Sequence, residues 1–213
     1  MKHPAIHGLY AITDPALIRD RQLLPAAEAA LRGGARLLQY RDKTATPAQR
    51  RQRAAQLQAL CRQHDALFLV NDDPALAADI DADGVHIGQS DGGIAHARRL
   101  LGPGKIIGVT CHSDLALAEQ AAAAGADYVA FGRFFPSRTK PLAPPADPVI
   151  LDQARQQLTI PLVAIGGIDS DNGGQLLERS ADALAVIHAL FSDPAPDQVE
   201  RAAQQLSALF NAV

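Results

Sequence analysis

Cysteine is nearly absent: Cys61 and Cys111 are the only two in 213 residues, which excludes a disulfide framework and a multi-thiolate zinc site. No charge of one sign predominates, since 20 Lys and Arg stand against 23 Asp and Glu for a formal net charge of −3. That balance excludes the lopsided basic field of a general nucleic-acid binder but leaves room for a local basic site. Long apolar runs are missing too. Nothing approaches the roughly 20 apolar residues of a membrane span, and MKHPAIHGLYAITD reaches Asp14 before a signal-like apolar core forms. The expectation is a cytoplasmic protein with neither nucleic acid nor membrane among its partners. Its length allows a sizeable buried core, in one large domain or two small ones.

What is present is an alternation. Short β-type runs (8–13, 35–41, 66–71, 84–88, 105–111, 128–132, 161–166 and 183–189) are separated by Ala- and Leu-rich helical stretches (23–32, 47–64, 74–80, 94–101, 115–124, 148–157, 171–178 and 195–210). Eight βα units predict an α/β fold, a single (β/α)8 TIM barrel occupying residues 1–213 as one domain. The competitor is an open doubly wound sheet, because a count of units does not reveal whether the first and last strands meet. Three helix-to-strand junctions, GGARLLQY, AGADYVAFG and RSADALAVI, resemble one another. One connection is too long for a simple turn: RFFPSRTKPLAPPAD, residues 133–147, a polar and proline-rich loop suited to a closing flap.

In such barrels chemistry gathers where strands end. In ARLLQYRDK, Gln39, Arg41 and Lys43 alternate onto one side. Asn71, Asp72 and Asp73 end the third strand, Gln89 and Asp91 follow the fourth, Thr110, Cys111 and His112 end the fifth, and Ser137, Thr139 and Lys140 lie in the long loop. Arg41, Lys43 and Lys140 with the neutral polar groups suit an oxygen-rich anion. Asp72 and Asp91, on consecutive loops, suit Mg²⁺ shared with phosphate oxygens and water, and their hard oxygens argue against zinc. Gly166 and Gly167 in AIGGI, with AVIHAL after the eighth strand, suit a second, metal-free phosphate site.

Each feature has a plainer explanation. The three donors could be a fraying strand end, Asp72, Asp73 and Asp91 could cap helices, and the glycine pair could simply turn the chain. Cys111 and His112 as nucleophile and base are disfavoured, because neighbours on a strand face opposite ways. His86 reads as a hydrogen-bonded core or rim residue.

With these residues assembled, the chain resembles the thiamine phosphate synthase family, through LYAITD, LLQYRDK, VNDD, GVHIGQSD, IIGVTCH, ADYVAFGRFFPSRTK, AIGGI and AVIHALF. The resemblance implies a barrel that joins a hydroxymethylpyrimidine diphosphate to a thiazole phosphate, or its carboxylated tautomer, with Mg²⁺ as cofactor. It implies that Gln39, Tyr40, Arg41, Asp42, Lys43, Asn71, Thr110 and Lys140 surround the pyrimidine diphosphate, with Arg41, Lys43 and Lys140 catalytic. Asp72 and Asp91 would hold the metal. Ser137, Arg138 and Thr139 would reach the thiazole phosphate region, and Gly167, Ile187 and His188 would cup that phosphate. Thr110, Ser137, Arg133 and His188 depart from the family's usual residues. A thiazole tautomerase and a non-catalytic barrel that senses a phosphorylated metabolite are the alternatives.

Overall fold

A computed structural model describes residues 6–139 and 144–211. Eight parallel strands run in chain order: β1 (Gly8–Ile12), β2 (Ala35–Tyr40), β3 (Leu67–Asn71), β4 (Gly84–Ile87), β5 (Ile106–His112), β6 (Tyr128–Phe131), β7 (Leu162–Ile165) and β8 (Ala183–Val186). β8 pairs back onto β1, from Gly8↔Ala183 to Ala11↔Val186, and closes the sheet into a barrel. The open-sheet alternative is thereby set aside.

The helices are α1 (Asp20–Arg32), α2 (Pro47–Gln63), α3 (Pro74–Asp79), α4 (Gly93–Leu101), α5 (Leu115–Ala123), α6 (Val149–Gln157), α7 (Gly174–Leu177), α8 (His188–Phe191) and α9 (Pro196–Ala208), followed by a 3₁₀ turn, Leu209–Asn211. Local chemistry starts several of them. Thr46 and Gln49 form a reciprocal capping box on α2, while Asp73 and Asp114 accept the Leu76 and Leu117 N–H groups that open α3 and α5.

Two apolar layers result from the alternation of each strand. Leu9, Leu38, Phe68, Val85, Ile107 and Val129 face outward against the helices. The helix faces that meet them are rich in buried alanine (Ala26, Ala30, Ala54, Ala118, Ala154), whose small side chains let helix and sheet approach closely. Tyr10, Leu37, Leu69, Ile106, Tyr128 and Val163 fill the barrel interior instead. Each fully buried large apolar side chain contributes roughly 1.5–3 kcal/mol, so the outer layer, with far more members, supplies most of the burial energy.

One expected element differs. The run from Ala183 to Ala189 does not continue as strand, because β8 stops at Val186 and α8 begins at His188.

Candidate active site

The C-terminal ends of the strands open onto a cavity of about 650 Å³. Gln39, Arg41, Lys43, Asn71, Asp72, Asp91, Thr110, Ser137, Arg138, Thr139, Gly167, Ile187 and His188 all line it. Lys140 lies outside the described residues. Tyr40 and Asp42 do not line this cavity. The pleat that sends Gln39 and Arg41 inward sends Tyr40 outward, where it packs in the helix-facing layer, and Asp42 lies beneath Arg53 at 2.8 Å. Both line a smaller cleft between β2, α1 and α2, beside the segment that carries Arg41 and Lys43.

Arg41 is held against Asp14 at 3.5 Å, its backbone N–H donating to Thr13 Oγ1 at 2.9 Å. Lys43 reaches across to Asp72 at 2.9 Å. Asp72 takes the left-handed conformation, φ 61°, which an Asp tolerates better than most residues, and its N–H donates to the His86 carbonyl at 2.8 Å. Asp73, its neighbour, is the helix cap, so Asp72 is left to the cavity. Asp91 is not a cap either: its Oδ2 accepts the Gly88 N–H at 2.7 Å, and Gly92 occupies the capping position of α4.

Asp72 and Asp91 line the same cavity, at the ends of β3 and β4. Burial works against the Asp72 carboxylate, yet the Lys43 ammonium, aided by Asn71, holds its pKa below the ordinary carboxylate range. Among the described residues no cluster of three or more His, Cys, Asp and Glu is arranged to hold a metal ion alone. The carboxylate pair fits a hard divalent cation whose other ligands are phosphate oxygens and water.

Gly166 and Gly167 have positive φ of 106° and 66°, but the space a side chain would need is taken by protein. A Cβ at Gly166 would lie 2.3 Å from Arg133 Cβ, and one at Gly167 2.4 Å from the Pro136 carbonyl oxygen. The glycine pair therefore lets the β6 loop settle on β7, with Phe134 and Phe135 N–H donating to the Ile165 and Gly166 carbonyls at 3.2 and 2.9 Å. Cys111 is buried in the outer layer, which pushes its thiol up to about 12, and His112 faces the cavity. They are no catalytic pair.

His86 is the hydrogen-bonded rim residue its position suggests, bonded to Tyr128 and Thr110, whereas Tyr10 and Tyr128 do not stand out in the sequence. Tyr10 and His86 line the cavity, and Tyr128 packs in the interior layer beneath it. Two signals point to them: the inward parity of both tyrosines, and Gly108 in the middle of β5, a glycine that marks close approach by a neighbour.

Cations, hydroxyls and two carboxylates over a floor that mixes apolar side chains with Tyr10, Gln39 and His86 suit this mouth to a flat, partly apolar substrate carrying phosphate oxygens and a divalent cation. That is the chemistry of the phosphate-handling (β/α)8 enzymes. The sequence profile of the thiamine monophosphate synthase family matches residues 9–190, and the chain belongs to that family. It is 67% identical to the thiamine-phosphate synthase of Alcanivorax borkumensis, over 96% of this chain and 94% of that one. It is 52% identical to that of Saccharophagus degradans, over 95% and 93%. The solved thiamine phosphate pyrophosphorylase of Pyrococcus furiosus superposes with a TM-score of 0.86 at 34% identity, covering 96% of both chains. No helix among the described residues is long and apolar enough to cross a membrane.

Proposed function

We propose that this protein joins a hydroxymethylpyrimidine diphosphate to a thiazole phosphate, forming thiamine monophosphate and diphosphate, in the cytoplasm and within one domain spanning residues 1–213. The observation that carries the reading is Asp72 at the cavity mouth, paired with Lys43 at 2.9 Å and sharing that cavity with Asp91. A barrel that isomerises a thiazole or merely senses a phosphorylated metabolite has no use for that arrangement.

Asp72 and Asp91 would hold Mg²⁺, which when bound neutralises charge on the diphosphate and makes it a better leaving group. Arg41 and Lys43 serve the same oxygens from the β2 side, and Lys140 joins them on the family resemblance. Lys43 is the adaptable member, because the diphosphate competes with Asp72 for its ammonium. Gln39, Asn71 and Thr110 orient the pyrimidine diphosphate, while Ser137, Arg138 and Thr139, with Gly167 and the Ile187–His188 backbone, receive the thiazole phosphate.

The carbon–oxygen bond to diphosphate breaks with its electron pair leaving on oxygen, and electron release from the aminopyrimidine supports the cation left behind. The thiazole nitrogen then supplies the electron pair of the new carbon–nitrogen bond. Little proton transfer is required. The chain's contribution is preorganised charge and the holding of two rings in register.

Purified protein incubated with both substrates and Mg²⁺ should yield thiamine phosphate and diphosphate in equal amounts. Isomerised thiazole without diphosphate release would identify a tautomerase instead, and binding without any turnover a sensor.

A further inference from the structure

Five side chains are linked in series across the barrel beneath the cavity. Gln39 Nε2 donates to Tyr10 Oη at 2.6 Å, Tyr10 Oη lies 2.9 Å from Tyr128 Oη, Tyr128 Oη lies 2.8 Å from His86 Nδ1, and His86 Nε2 lies 2.8 Å from Thr110 Oγ1. The sheet is built to permit it. His86, Gly108 and Tyr128 are in register on β4, β5 and β6, and a Cβ at Gly108 would fall 1.9 Å from Tyr128 Cζ. Glycine on the middle strand is thus the slot in which the phenol crosses to the imidazole, and the two rings stack at 5.5 Å.

The protons in this chain can be counted. Gln39 Nε2 is a donor only, and each phenol has one proton. If Tyr10 donates to Tyr128 and Tyr128 to His86 Nδ1, His86 carries its proton on Nε2 and gives it to Thr110. Every link is then filled, and the protons left over are the second amide proton of Gln39 and the hydroxyl proton of Thr110, both residues lining the cavity. In the reverse order Thr110 donates to His86 and His86 Nδ1 to Tyr128, so that Tyr128 donates to Tyr10. That order strands the Tyr10 O–H, which already accepts from Gln39 and is 1% exposed. Buried polar groups are rarely left so. Burial raises the pKa of both phenols well above the ordinary tyrosine range, so both keep their protons.

We propose that Gln39, Tyr10, Tyr128, His86 and Thr110 form one proton-ordered chain in which His86 is a positioning residue, held as the Nε2–H tautomer, that gives the cavity a fixed polarity. At one end the bond to Tyr10 takes one proton of the Gln39 amide and fixes that amide's orientation, so that its carbonyl is the acceptor offered to an amino group. At the other end Thr110 presents an O–H donor for an anionic oxygen. The order of protons rests on geometry alone. The match to an aminopyrimidine at one end and a diphosphate at the other rests on the function proposed above.

The test uses the full chain labelled with ¹⁵N-histidine. Long-range ¹H–¹⁵N spectra resolve the tautomers of its seven histidines, and the resonance lost in His86→Gln is the one of interest. Expected is a neutral ring protonated on Nε2, which becomes a tautomer mixture in Tyr128→Phe. In that variant KM for the pyrimidine diphosphate should rise about tenfold while kcat moves less than about threefold, as one lost hydrogen bond implies. An Nδ1–H ring in the unaltered protein overturns the proposal without recourse to any variant, as does a tautomer indifferent to Tyr128→Phe or an unchanged KM. An Nε2–H ring in a protein that makes no thiamine phosphate upholds the proton order and removes the reading of the substrate, so the two failures are distinguishable.

Discussion

Asp72 meets two requirements at once, a left-handed backbone with φ 61° and a carboxylate against Lys43 in the cavity it shares with Asp91. Alanine would confound them, because it is strained at positive φ; asparagine tolerates the conformation and removes only the charge. Asp72→Asn should lower kcat/KM by at least about a hundredfold, the scale on which a preorganised charge acts, with a melting temperature within about 3 °C of the parent's. Turnover near the parent rate would remove the metal-ligand role. Asp42 carries a different load. It accepts from Thr44 N and Oγ1 at 2.9 and 2.8 Å and from Ala45 N at 3.0 Å. Burial raises its pKa, but those bonds and the Arg53 charge bring it to a net value below 3.8. A depressed folded pKa means stability that is fully present above the unfolded value and lost as pH falls through the folded one. The parent should therefore exceed Asp42→Asn by about 1 kcal/mol in urea unfolding at pH 6, and this advantage should disappear towards pH 2. An advantage that does not vary with pH would show that Asp42 is no anchor for the loop bearing Lys43.

At the scale of elements, a repeated device closes the far end of the barrel. Asp83, Asp127 and Asp182 immediately precede β4, β6 and β8, and their Oδ2 atoms each accept at 2.8 Å from Phe68, Ile107 and Leu162 N–H on the preceding strand. Each aspartate also donates its own N–H to the carbonyl of that same residue. Arg98 and Arg155 back two of the three carboxylates from the helices. Asp127→Ala leaves the fully buried Ile107 N–H without its acceptor and should cost about 1–3 kcal/mol, read as an earlier urea midpoint. Activity measured well below the melting temperature should stay within about twofold, since the cavity lies at the other end of the strands; a loss of turnover would mean that the two ends are coupled. The resemblance among the AGADYVAFG and RSADALAVI junctions is this device seen in sequence. Its third member is Ala82–Asp83, and Gly33–Gly34 in GGARLLQY lacks the carboxylate altogether. α8 was not legible, because ALAVIHAL is apolar but for His188 and strand and buried helix look alike in such a run. The purpose of Gly166 and Gly167 was legible only as a need for close approach; that Arg133 and Pro136 do the approaching depends on how the β6 loop folds back.

For the whole molecule, eight βα units were readable from alternation, and closure was not, since it resides in the pairing of Gly8 to Ala11 with Ala183 to Val186, far apart in the chain. Closure is also what assembles the site. Strand parity and position alone placed Arg41, Asp72, Asp91 and Thr110 on one rim, whereas Tyr40 and Asp42 were carried along by sitting in the same segment and are turned away by that very parity. Tyr10 and Tyr128 escaped notice because a tyrosine in an apolar strand looks like core; its hydroxyl acquires meaning only when the curved sheet brings β1 and β6 to opposite sides of one interior. If the closed mouth is a diphosphate and Mg²⁺ site, its ligands should stabilise the entire barrel by linkage. At about 100 times the dissociation constant the gain is about 2.7 kcal/mol, which for a chain of this length raises the melting temperature by roughly 5–11 °C. Diphosphate with Mg²⁺ should produce that rise in the parent, Mg²⁺ alone much less, because the carboxylate pair needs phosphate oxygens to complete the coordination, and Asp72→Asn should respond to neither. A full shift in Asp72→Asn would place the anion on the cations alone, and no shift in the parent would move diphosphate away from this mouth altogether.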